Sequence, residues 1–181
     1  MKKTLFAIAM IASAQASALE LAKDEAYITA GLQLTDYDVS VLDDSVGFNV
    51  GIGAPLTGLN TSNPKIKFGV EGGYVYFGES SKNNWTASGS SIYGAGKMNF
   101  ALNDKASLYA KAGLNYVTVE VEYDVNTQFG NFSSSADDSE IKLLWGFGGE
   151  LKLNEKMSAG VGYTSYASDI TSLNANVNFR F

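Results

Sequence analysis

Residues 172–181 read SLNANVNFRF, and from Leu173 onward the side chains alternate without a break. Leu173, Ala175, Val177, Phe179 and Phe181 are apolar, while Asn174, Asn176, Asn178 and Arg180 are polar. A period of two marks an extended strand with one greasy and one wet face. Chain ends are ordinarily frayed and polar, so a strand that closes on an aromatic needs a reason beyond ordinary soluble folding.

The same period recurs upstream. Alternation over 26–35, 46–54, 66–76, 92–100, 108–116, 141–153 and 157–164 predicts seven further strands, and the closing run from Ile170 makes the eighth. The connections alternate too. Short polar turns, Asn103-Asp104-Lys105 and Asn154-Glu155-Lys156, follow strands four and six, whereas long acidic or Ser/Asn/Gly-rich segments follow strands one, three and five. One end of the sheet is therefore expected to be trimmed and the other elaborated. The long stretch 55–64 and the short one 166–169 depart from that rule.

At the other end of the chain, Lys2 and Lys3 precede an apolar run over 5–12 and then Ala14-Gln15-Ala16-Ser17-Ala18. This predicts a secretory signal peptide cleaved after Ala16 or Ala18; we take 1–18 as the leader and 19–181 as the barrel domain. The apolar run is far shorter than the ~20 residues of a spanning helix, and no later stretch reaches that length. Without Lys2 and Lys3 the chain holds 11 basic and 19 acidic residues, a net charge of −8 with a single arginine. That balance excludes nucleic acid as a partner. Cysteine is absent, so no disulfide framework supports the fold.

Eight such strands close with the apolar face either inward or outward. The polar face is rich in glycine (Gly47, Gly51, Gly53, Gly69, Gly73, Gly113, Gly146, Gly148, Gly160, Gly162). Glycine makes a poor soluble exterior but suits the narrow interior of an eight-stranded barrel. The apolar face carries more aromatic volume than such a lumen holds. Tyr74, Tyr76, Phe100, Tyr116, Trp145, Tyr163 and Phe179 are expected to form membrane-interface girdles. The reading is an all-β protein, an eight-stranded antiparallel up-and-down transmembrane β-barrel.

With its leader, eight alternating strands, unequal connections and terminal V-N-F-R-F, the chain over 26–181 resembles the small outer-membrane β-barrels of Gram-negative bacteria, the OmpA-like and porin-like transmembrane group. The resemblance implies an outer-membrane location, with outer-membrane lipid and lipopolysaccharide as surroundings. It also implies that Phe181 is an assembly signal read by the barrel-assembly machinery.

Histidine is absent, which removes the usual neutral base and every Ser-His-Asp or Cys/His metal arrangement. No catalytic residue, metal or cofactor is expected. Asp43-Asp44 and Asp137-Asp138 fall in predicted loops as solvated surface. Eight charges, Lys67, Glu71, Lys97, Lys111, Lys142, Glu150, Lys152 and Arg180, fall on the inward face and predict a paired polar network. It serves either as a rigid plug or as a narrow, gated path for ions or small solutes. Alternation in strand five continues through Glu120, Glu122 and Asp124, which predicts a hairpin of strands five and six protruding beyond the membrane. That hairpin is either a charged, blunted loop or an edge that accepts a partner strand. The expected function is a structural or surface-interaction, adhesin-like role toward an extracellular or host-surface ligand, with a narrow pore as the alternative.

Overall fold

Extended backbone forms wherever the two-residue period predicts it. The computed structural model describes residues 20–22, 25–38, 43–57, 63–82, 85–127 and 130–181, and the expected leader lies outside the described residues. The strands are β1 (Tyr27–Tyr37), β2 (Ser45–Thr57), β3 (Ile66–Lys82), β4 (Trp85–Ala101), β5 (Ala106–Thr127), β6 (Gly130–Lys152), β7 (Met157–Ala167) and β8 (Ile170–Arg180). Each pairs antiparallel with the next, and β1 pairs with β8 from Tyr27↔Arg180 to Tyr37↔Ile170, closing the sheet. Closure pairs the backbone without a free edge in hydrocarbon. A two-residue segment, Glu20–Leu21, pairs with the end of β2.

Side-chain burial is inverted relative to a soluble barrel. Leu32 is 66% exposed and Ile52 68%, whereas Gln33 beside Leu32 is 2% exposed. Apolar side chains point out and polar ones in. One cost of a narrow interior shows at Gly162, where the Tyr109 hydroxyl occupies the space that a Cβ would need.

The strands differ in length. β1, β7 and β8 have 11 residues each and β2 has 13, while β3 and β4 have 17, β5 has 22 and β6 has 23. About 9–11 tilted residues cross a bilayer, so β3 to β6 continue past it as a projecting sheet. Here the structure corrects three expectations. Strand four starts at Trp85 instead of residue 92, the long loop after strand three is strand up to Lys82, and Asp137 and Asp138 sit in β6 instead of a loop. Residues 85–91, WTASGSS, read locally as a turn, but a partner on each side supplies ladder bonds to all seven, and strand formation follows cross-strand context more than local propensity. Gly78 marks the point where β3 shifts register against β4, and its φ of 93° suits glycine.

At the opposite end the turns are tied by side chains. The Asn103 carboxamide oxygen accepts the backbone N–H groups of Lys105 and Ala106 at 2.9 and 2.8 Å, and Asn154 does the same for Lys156 and Met157 at 2.9 and 2.8 Å. This is the local hydrogen bonding that makes asparagine a turn residue.

Candidate functional site

Polar chemistry collects in two places, the lumen and the projecting sheet. In the lumen, the half nearest the short turns is polar. Alternation carries Glu71 on β3, Lys97 on β4, Lys111 on β5 and Glu150 on β6 to one level, with side-chain exposures of 6%, 6%, 8% and 13%. Lys97 Nζ donates to Glu150 Oε1 at 2.5 Å and reaches Glu71 Oε2 at 3.5 Å, while Lys111 Nζ lies 3.4 Å from Glu71 Oε1. The Tyr27 and Tyr93 hydroxyls donate to the same Glu71 carboxylate at 2.9 and 3.0 Å. The Lys97 ammonium sits 4.6 Å from the Tyr109 ring centre, and that of Lys111 sits 5.1 Å from the Tyr93 ring centre. Two cations and two anions cancel, which is what makes four buried charges tolerable. The void left among them, about 10 Å³, has room for one water.

Toward the projecting end the lumen loses its charges, and buried apolar side chains stand among uncharged polar ones such as Gln33, Thr35, Ser91 and Ser172. Val75, Phe77 and Leu144 are fully buried, packed with Tyr37, Val117, Tyr166 and Ile170. Phe77 meets Tyr166 edge to face at 5.0 Å. Some polar atoms of this layer are bonded inside it: the Tyr166 carbonyl accepts from Asn115 Nδ2 at 2.9 Å, and the Tyr166 hydroxyl donates to Gln33 Oε1 at 3.5 Å, while Asn115 Oδ1 and Ser91 Oγ are buried with no hydrogen-bond partner among the described residues. An uncharged septum thus stands between the charged cluster and the projecting end. Sequence reading missed it because Tyr74-Val75-Tyr76-Phe77 and Leu143-Leu144-Trp145 are apolar on both faces, which hides the period. The lumen tyrosines were visible as inward positions, but nothing local marks them as partners of Glu71.

Four expected lumen charges do not join the cluster. Lys67 is exposed at the short-turn rim beside Glu25 at 3.8 Å. Lys142 is ion-paired with Glu140 on its own strand, Lys152 is exposed, and Arg180 is half-buried at the rim. They share the inward face but lie beyond the dry part of the lumen, where water satisfies them.

The aromatic residues of the outer face stand in groups. Phe48 packs against Tyr74 and Tyr76 at 6.3 and 5.7 Å; Trp145, Phe147 and Tyr163 form a trio; Phe179 meets Phe181 edge-on at 6.3 Å. Phe100 and Tyr116 are half-buried between neighbouring strands.

On the projecting sheet, Glu120 on β5 stands directly opposite Asp137 on β6, and Glu79 and Glu122 share their face. Asp138 lies on the other face, opposite Val119, and the Asp124 backbone pairs with Ser133. Asp43 and Asp44 are exposed between β1 and β2, and the Asp43 N–H donates to Ser80 Oγ at 2.9 Å. Among the described residues no three carboxylates converge where a metal ion would sit. β7 pairs with β6 only from Trp145 to Lys152, so among the described residues 130–144 of β6 pair with β5 alone and leave one edge open.

The Outer membrane protein beta-barrel domain family model matches residues 4–181. Among solved structures, Ail, the attachment invasion locus protein of Yersinia pestis, superposes with TM-score 0.58 at 14% identity, over 88% of this chain and 99% of that one. The same protein in complex with the heparin analogue sucrose octasulfate gives TM-score 0.56 at 16% identity, over 87% and 98%. Neisserial surface protein A gives TM-score 0.54 at 16% identity, over 86% and 97%. The outer membrane enzyme PagL gives TM-score 0.50 at 17% identity, over 86% and 99%. At these identities the likeness is one of fold. No curated protein matches the sequence.

Proposed function

The chain belongs to the outer membrane protein β-barrel domain family and is an integral β-barrel of the outer membrane, and from that premise we propose that it works as a surface-interaction protein through its projecting sheet. The observation that carries the reading is the open edge of β6 over residues 130–144, beside a face bearing Glu79, Glu120, Glu122 and Asp137. Free backbone groups on such an edge accept a strand from a partner, and the carboxylates select a cationic one. In this family the short turns and termini face the periplasm, so the sheet stands outside the cell. Ail was solved with a polysulfate; the acidic face here favours a ligand of opposite charge.

The pore reading has less support. The lumen has an uncharged layer of buried side chains across it and a neutral, mutually paired cluster beneath. PagL is an enzyme on this fold, but this chain has no histidine, and its buried carboxylates are engaged by lysines and tyrosines. No activity is proposed.

The test is adhesion. Bacteria displaying the chain are expected to bind host-cell or matrix surfaces more than bacteria displaying a variant whose 120–137 hairpin tip is replaced by a short turn, with added salt weakening the difference. Equal adhesion by both overturns the proposal.

A further inference from the structure

The open edge of β6 has a definite register. The Lys152 N–H donates toward β5, to the Lys105 carbonyl at 2.6 Å, and the Leu153 N–H donates toward β7, to the Met157 carbonyl at 2.9 Å. Successive residues of a strand turn their backbone groups to opposite sides, so even residues of β6 face β5 and odd ones face β7. The β5–β6 ladder runs from Ala106↔Leu151 to Thr127↔Gly130 without a register shift, which carries this parity up the projecting sheet. Beyond the last β6–β7 pair, at Trp145, the N–H and C=O groups along the open edge are therefore those of odd residues, with Asp137, Ser139 and Ile141 among them.

One of these edge groups is already covered. The Ser139 N–H donates to Asp138 Oδ1 at 2.9 Å, so the carboxylate of the preceding residue lies against the edge and takes an amide that an added strand needs. A cation placed opposite Asp138 draws the carboxylate to itself and returns the amide to the edge; an uncharged strand offers nothing in exchange. Asp137 presents its carboxylate on the opposite face, beside Glu120. Asp137 and Asp138 are both exposed, and neither is in an ion pair with a described residue. Glu140, on the face of Asp138, is instead paired with Lys142.

We infer that the β6 edge takes an extended peptide segment carrying two consecutive basic residues, and that Asp138 is the latch such a segment releases. Neighbouring residues of a strand laid along β6 stand on opposite faces, so one cation meets Asp138 and the other meets Asp137 and Glu120. The first frees the Ser139 amide, which then joins the backbone groups of Asp137 and Ile141 in the new ladder. This site deepens the surface-interaction role and rests on the open edge described for it. A second copy of the chain is a poorer occupant along the same edge, because β6 has no two basic residues in succession.

The experiment offers the full chain, folded in detergent, three labelled short peptides rich in threonine and valine: one with an arginine-lysine pair at its centre, one with the same two residues split between its ends, and one neutral. Affinity is read by fluorescence anisotropy and the place of binding by amide hydrogen exchange. The central pair is expected to bind about tenfold tighter than the split pair at low salt. It is expected to slow exchange at Asp137, Ser139 and Ile141 and to leave Asp138 and Glu140, already turned to β5, unchanged. Asp138→Ala is expected to bind the neutral peptide more tightly than the unaltered chain does and to lose most of the preference for the central pair. Asp137→Ala is expected to lose preference without that gain. Folding of each variant is confirmed by a gel-mobility difference between boiled and unboiled samples. Equal affinities for the central and split pairs, protection that misses the odd residues, or a neutral peptide that binds Asp138→Ala no better overturns the site. So does concentration-dependent protection of the edge without peptide, which shows a second copy there. Loss of adhesion by the shortened hairpin without any peptide binding overturns the dibasic site alone; peptide binding as expected with unaltered adhesion upholds the site and overturns only the adhesive role.

Discussion

Glu71 is the residue on which the lumen depends. Its carboxylate meets Lys97, Lys111, Tyr27 and Tyr93, and Lys111 has no other carboxylate in ion-pair range among the described residues. Glu71→Gln leaves two buried ammonium groups with one carboxylate between them, and is expected to destabilise the barrel by about 3–5 kcal/mol. Glu71→Gln combined with Lys111→Met restores neutrality and is expected to recover most of that loss. Thermal midpoints of the unboiled gel form check both, and a double variant no more stable than the single one removes charge balance as the explanation. Gly162 tests packing at the same level. A Cβ there meets the Tyr109 hydroxyl and lies 2.9 Å from the Phe147 carbonyl oxygen, so Gly162→Ala is expected to cost about 1–3 kcal/mol by overpacking, read from the same midpoint.

Strand extension is the central fact at the scale of elements. β5 and β6 each run about ten residues beyond what a bilayer requires, and they hold a carboxylate directly against a carboxylate at Glu120↔Asp137. Opposed like charges weaken a ladder, so Asp137→Lys is expected to stabilise the hairpin by roughly 0.2–1 kcal/mol. The same change weakens binding of a cationic partner. Amide hydrogen exchange over 118–139 measures the first effect and cell adhesion the second. Greater protection with unaltered adhesion removes the acidic face from the proposed role and leaves only the open edge.

For the whole molecule the question is whether anything passes through. With its septum in place the barrel is expected to give no single-channel steps in planar bilayers. Phe77→Ala together with Tyr166→Ala removes the edge-to-face contact that spans the lumen and is expected to produce steps whose ion selectivity changes with Lys111→Gln. Steps from the unaltered chain favour the pore instead. Phe181 separates assembly from stability: it is 62% exposed on the lipid-facing side, and its deletion forfeits at most ~1–3 kcal/mol of apolar transfer. The proposed assembly role predicts near-normal folding into detergent and sharply lower outer-membrane levels in cells. Equal loss in both assays makes Phe181 ordinary packing.

The barrel was legible because its signal is local and repeats: a strand with one face in lipid must alternate, as Leu173 to Phe181 do, and eight such runs with unequal connections admit few closures. The inward placement of Glu71, Lys97, Lys111 and Glu150 followed from the same period. Only the tertiary structure decided which inward charges meet, since that depends on the register between strands; it set Glu71 at the level of Lys97 while leaving Lys67 and Lys152 at a rim where water reaches them. It alone disclosed the septum, because Val75, Phe77 and Leu144 sit in runs that are apolar on both faces and carry no period. The projecting sheet was half visible. β5 keeps alternating past the membrane, but 85–91 and 130–140 are poor in strand formers and become strands because neighbouring chains supply their hydrogen bonds, a property of the pairing that no single segment holds.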